Sequence, residues 1–69
     1  MYQRTFRKAD QTHRLLITSS DGAGWEVREE QDSQVISSHR YDDWHRVERA
    51  RMAFATQALT LQLSGWKES

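Results

Sequence analysis

The side chains best suited to chemistry lie close together in the chain. His39, Asp42, Asp43 and His45 fall within one short stretch, and neutral imidazoles with carboxylates could hold a divalent cation. Their spacing matches no recurring metal motif, and a strand-to-helix corner there would splay them. Asp42 is better explained as a helix cap. His45 and Glu48 stand three residues apart, as an acid–base pair on one helical face would. No nucleophile or glycine-rich loop accompanies them. Gly22-Ala23-Gly24 is too short for a phosphate loop and no helix follows it. Ser19-Ser20 and Ser37-Ser38 read as turn and strand-end residues. Cysteine is absent, which excludes disulfides and thiolate metal sites. The expectation is a protein that is not an enzyme, with no catalytic residues, no cofactor and no metal.

A second set of residues suggests nucleic acid. Tyr2, Arg4, Phe6 and Lys8 share one face of the first segment, and His13 and Arg14 open the next. Aromatic rings interleaved with cations on a sheet can stack bases and hold phosphates. A small single-strand-type nucleic-acid domain would then use Arg4, Phe6, Lys8 and Arg14. Against this, ten basic residues balance ten acidic ones over the 69 residues. Tyr2 and Phe6 serve equally well as core residues, with Arg4 as an edge charge that discourages aggregation. The charge is unevenly spread: residues 1–20 net +3, residues 21–38 net −4 and the remainder +1. A basic first segment lying beside an acidic second one accounts for that. Arg46 and Arg49 read as a solvated helix face, or as a contact for phosphate or acidic groups.

The positioning elements follow from periodicity. Tyr2–Lys8 alternates as a strand does. His13–Ser19 contains Leu15-Leu16-Ile17, apolar toward both faces, and reads as a central strand. The Gly- and Asp-containing stretch 19–24 is a turn. In Trp25–Glu30, Trp25, Val27 and Glu29 point one way and Glu26, Arg28 and Glu30 the other. Gln31-Asp32-Ser33 turns the chain into Gln34–Arg40. From Asp43 to Ser64 no Gly or Pro intervenes. Asp42 is the expected N-cap, Asp43 belongs to the first turn, and Gly65 is the expected left-handed C′ residue. Trp66 then packs back on Leu61. The predicted fold is α+β: a three- or four-stranded antiparallel meander followed by one long C-terminal helix on one sheet face. Its expected core is Leu15, Ile17, Trp25, Val27, Ile36, Val47, Phe54, Ala58 and Leu61.

The helix carries more apolar surface than one contact requires. At about 100° per residue, Val47, Ala50, Phe54, Ala58 and Leu61 fall in one stripe. Met52, Ala55, Leu59 and Leu63 fall in another. Trp44, Glu48, Arg51 and Gln62 lie between, and Gln57 lies with Arg46 and Arg49 on the polar side. One stripe can cover the sheet. The second is either buried by the first strand or Trp66, or it meets a partner. The interface set read from the sequence is Trp44, Glu48, Arg51, Met52, Ala55, Leu59 and Leu63. Glu48 and Arg51 could pair within the helix or across a two-fold axis.

Length and composition agree with one domain over residues 1–69. A chain this short buries only about 60% of its unfolded surface, so a partner subunit is one common supplement. No apolar run approaches the roughly 20 residues of a membrane span, and Met1-Tyr2-Gln3-Arg4 opens no signal peptide. The expectation is a cytoplasmic interaction module, a homodimer or an adaptor for another protein, with nucleic acid as the alternative partner and no membrane.

Overall fold

The computed structural model describes residues 2–19, 22 and 24–69. They form five antiparallel strands and one helix: β1 (Tyr2–Lys8), β2 (Gln11–Ser19), β3 (Trp25–Gln31), β4 (Gln34–Tyr41), α1 (Trp44–Leu63) and β5 (Lys67–Glu68). The sheet runs β4-β3-β2-β1-β5, with α1 across one face. The meander and the helix are those expected, and the N-terminal segment does join the sheet. The fifth strand is new. After the helix the chain returns to the outer edge of β1, where Phe6 faces Glu68 and Arg7 faces Lys67. Ser20, Asp21 and Ala23 of the expected β2–β3 turn lie outside the described residues.

Register assigns the faces. Tyr2 pairs with Ile17, Arg4 with Leu15 and Phe6 with His13, while Ile17 pairs with Val27 and Leu15 with Glu29. These residues line the side under the helix. Phe6, Leu15, Ile17 and Val27 pack there against Val47, Phe54 and Ala58, all buried. Tyr2, Trp25, Tyr41, Ala50, Leu61 and Trp66 rim this core. Tyr2 stacks on Phe54 at 6.0 Å between ring centroids. Leu16 points to the opposite face and is buried outside that cluster. Arg14 and Arg28 of that face reach Glu30, each at 3.1 Å, and Ser38 donates to Glu26 at 2.9 Å. Long side chains on an exposed sheet face can shield an apolar neighbour with their stems.

Two expectations are corrected. Ile36 is not core: it is 52% exposed. Glu29 pairs with Ser37 and Glu30 with Val35, so Ile36 is the extra residue of a bulge and loses its cross-strand place. The N-cap is Asp43, not Asp42. β4 runs to Tyr41, and it is the Asp43 carboxylate that accepts the His45 amide at 3.0 Å. The β3–β4 connection is also tighter than expected. Asp32 and Ser33 both have positive φ, 52° and 69°, as a two-residue hairpin turn of the primed type demands. Asp32 offsets the cost of that conformation by accepting the Thr12 amide at 2.9 Å, while its own amide donates to the Thr12 carbonyl.

The helix ends as its sequence indicates. Gly65 has φ +95°, the Trp66 amide donates to Leu61 O at 3.0 Å, and the Gly65 amide to Gln62 O at 3.1 Å. This is the paired pattern of a Schellman stop. Gly24 is required for a different reason: a Cβ there would come within 2.6 Å of the Tyr41 carbonyl oxygen.

Burial separates two apolar residues that composition cannot. Phe6→Ala should cost about 3–5 kcal/mol in urea denaturation, the usual loss for a buried Phe. Ile36→Ala should cost about 1 kcal/mol or less, because Ile36 is largely solvated already. Equal losses would place Ile36 in the core and rule out a bulge at that position.

Candidate protein-interaction surface

The first stripe of α1 is consumed by the sheet and the second is not. Met52 is 69% exposed, Leu59 57%, Leu63 81% and Trp44 48%. Ala55 and Arg51 are exposed too, and Glu48 is half-buried. Neither β1 nor Trp66 covers these residues. Trp66 instead sets its ring edge-on to His13 at 5.9 Å. Trp44 is held by Trp25, with ring centroids 5.1 Å apart. The seven side chains of the expected interface therefore lie along one flank of the helix.

That flank overlooks the seam between α1 and β1. Two clefts open along it. One of about 280 Å³ is lined by Tyr2, Ile17, Trp44, Val47 and Arg51. The other, of about 340 Å³, is lined by Tyr2, Arg4, Glu48, Arg51, Met52 and Ala55. Glu48, Arg4 and Arg51 thus line one cleft, with the Arg4 guanidinium itself bound to Glu68.

Polar contacts fix the helix in the rotation that exposes this flank. Between sheet and helix, His13 Nε2 lies 2.6 Å from Glu29 Oε2, and Gln57 Nε2 donates to the same oxygen at 2.6 Å. The sequence put Glu29 on the inward face but gave it no partner. Gln57, expected on the polar side, is half-buried and supplies one. At the helix C-terminus, Lys8 Nζ donates to Ser64 O at 2.8 Å. A cation there complements the helix dipole, and the last turn of α1 holds none of its own. Arg4 forks onto Glu68 through Nε at 2.8 Å and Nη2 at 2.7 Å. This pair raises Arg4 further above its ordinary value, with Tyr2 adding to the effect, and it holds the Glu68 carboxyl below the usual carboxylate range.

Of the four residues of the nucleic-acid reading, Arg4 lies over the Phe6 ring at 5.4 Å, but the four do not form one exposed surface. Phe6 is fully buried beneath the helix. Arg4 is engaged by Glu68 and Lys8 by the helix end. Arg14 points from the other sheet face, paired with Glu30. The basic and acidic segments do neutralise one another in part, through Arg14–Glu30 across β2 and β3. Nor do the residues around the start of α1 converge. His39 stacks on Tyr41 and Asp43 caps the helix. Among the described residues no group of three or more His, Asp or Glu side chains is placed to hold a metal ion. No described helix is long and apolar enough to cross a membrane.

Set against protein-family models, curated proteins and solved structures, the chain matches none of them. Its own geometry defines its class: a small meander-and-helix domain of the α+β type with one uncovered helix flank.

Two outcomes test the polar contacts. Glu29→Ala removes the shared acceptor of His13 and Gln57 and should cost about 1–3 kcal/mol of stability in thermal or urea unfolding, the usual range when buried polar groups lose their partner. The Arg4–Glu68 contribution is complete above the ordinary Glu value of about 4.3 and is lost as pH falls through the lowered value of Glu68 in the folded protein. The protection of the Ser69 amide, which donates to Thr5 O at 2.9 Å, should accordingly be lower in acid than at neutral pH once the slower intrinsic exchange in acid is divided out. Glu68→Gln should remove that pH dependence.

Proposed function

We propose that the protein is a non-enzymatic interaction module that associates with a second copy of itself through the exposed flank of α1, in the cytoplasm. One observation carries this: Met52, Leu59 and Leu63 stay mostly solvated although the helix is fully docked. Burying a side chain of this kind is worth about 1.5–3 kcal/mol, so three of them on one helix leave a large gain uncollected. With Trp44 and Ala55 they form an apolar strip, interrupted by Glu48 and Arg51, along a helix roughly 30 Å long, which favours a partner over isolated solvent exposure. A two-fold homodimer needs a single self-complementary patch and is the simplest partner to supply. The acid and base within the strip, Glu48 and Arg51, suit such a patch because it must carry both signs.

Sedimentation velocity at micromolar concentration should give a concentration-dependent dimer for the natural sequence. Met52→Glu should shift it to monomer while leaving the circular dichroism spectrum and melting of the monomer intact, since Met52 contributes nothing to the core. A natural sequence that stays monomeric at tens of micromolar would refute the proposal.

A further inference from the structure

The sheet face turned away from the helix carries its cations in a line. Register sets Lys67 of β5 directly opposite Arg7 of β1. Arg14 of β2 faces Thr5, one same-face position along β1 from Arg7. Arg28 of β3 faces Leu16, one such position beyond Arg14. Arg40 of β4 faces Glu26, one position beyond Arg28. The five cations thus form a diagonal stripe that crosses all five strands. With about 4.8 Å between strands and about 7–8 Å for each diagonal step, it runs roughly 25 Å. The described strands bring only two carboxylates to this face, Glu26 and Glu30, so it nets +3 on a chain that nets zero. Both belong to β3 and serve the middle of the stripe. Glu30 is shared by Arg14 and Arg28, each at 3.1 Å, and Glu26 lies 3.7 Å from Arg28. The β1–β5 end is left uncompensated: no carboxylate of the described residues pairs with Arg7 or Lys67, both exposed. Like charges directly opposite on neighbouring strands repel, so the free protein bears a local cost there that a bound anion relieves.

We infer that this stripe binds the phosphate backbone of double-stranded nucleic acid, independently of base sequence. A lipid surface presents its charge in a plane, whereas a duplex presents it along strands that a line of cations can follow. Four of the five cations are Arg, whose planar fork suits phosphate oxygens. Gln3, Thr5 and Thr12 stand on the same face beside Arg7 and Arg14, and side chains of these types commonly bind phosphate and sugar. All seven aromatic rings lie on the helix side of the sheet. The open face therefore offers no ring on which an unpaired base could stack. That favours a duplex, whose bases are already stacked within, over a single strand. The stripe is separate from the exposed flank of α1, and the inference does not depend on self-association.

Fluorescence anisotropy at low salt, with labelled DNA and RNA duplexes of two unrelated sequences each, tests this. At least one kind of duplex should bind, and its two sequences equally well. The logarithm of the binding constant should fall against the logarithm of salt concentration with a slope of about −3 to −4, at about 0.9 per phosphate engaged. Lys67→Glu gives Arg7 a cross-strand partner of opposite sign, so the fold should melt no lower than the natural one. The same variant should weaken duplex binding by about tenfold and make the salt slope shallower by about one. Loss of binding is thereby separated from loss of structure. Arg46→Glu makes the same change in net charge on the exposed side of the helix and should leave binding nearly unchanged. Absence of binding to either kind of duplex would overturn the inference, and so would equal weakening by the two variants. Tighter binding to a single strand, to polyglutamate or to phosphatidylserine vesicles would overturn the choice of partner.

Discussion

Everything else in the molecule depends on one contact: the ridge of Val47, Phe54 and Ala58 on the sheet residues Phe6, Leu15, Ile17 and Val27. A chain of 69 residues has no second core to fall back on. The strands cannot be stable as an isolated sheet with one apolar face in water, and the helix has no reason to persist alone beyond its modest propensity. Each exists because the other covers it. This contact also sets the rotation of the helix, and the rotation decides which side chains remain outside. The exposed flank is in that sense a by-product of core packing: any helix that presents Val47 and Phe54 inward must present Met52 and Leu59 outward.

The polar contacts act on the same variable. An apolar ridge on a pleated surface tolerates small rotations and slides. Gln57 in the middle and Ser64 at the end each tie the helix to a particular place on the sheet. The middle tie is the most specific, because one oxygen of Glu29 serves both the helix, through Gln57, and the neighbouring strand, through His13. Their energies are small beside that of the core. Their value is in geometry: they keep the two clefts along β1 open in a fixed shape.

Much of this was legible from residue order. Alternation in Tyr2–Lys8 and Trp25–Glu30, the doubly apolar Leu15-Leu16-Ile17, and an uninterrupted run closed by Gly65 located four strands and the helix within a residue or two. Helical periodicity divided the helix into two apolar stripes, and only the structure shows the second one exposed. What escaped was non-local or too short to leave a trace. Lys67–Glu68 is two residues long, and it becomes a strand only because β1 offers an edge. The Arg4–Glu68 fork joins residues 64 apart, for which no local pattern exists. The bulge at Ile36 misled for a related reason: pairing register is a property of two strands, while Val35-Ile36 read alone looks like a core pair. Asp42 and Asp43 are equally good caps by type, and the length of β4 decided between them. Glu29 was the one unused clue, since a carboxylate on an inward face requires a buried partner, and His13 is on the facing strand.

The sheet order places the first strand beside the last. On a ribosome, β1 emerges long before its outer neighbour, so its outer edge stays uncovered while β2, β3, β4 and the helix are still being made. Completion of this sheet waits for Lys67 and Glu68, and closing the long loop between them and β1 is a slow, non-local event. In the meantime Arg4, Arg7 and Lys8 keep that open edge positively charged, a composition that discourages nascent chains from pairing with one another. The cations that later fasten the tail and the helix end are thus already useful earlier, as guards of an unfinished sheet.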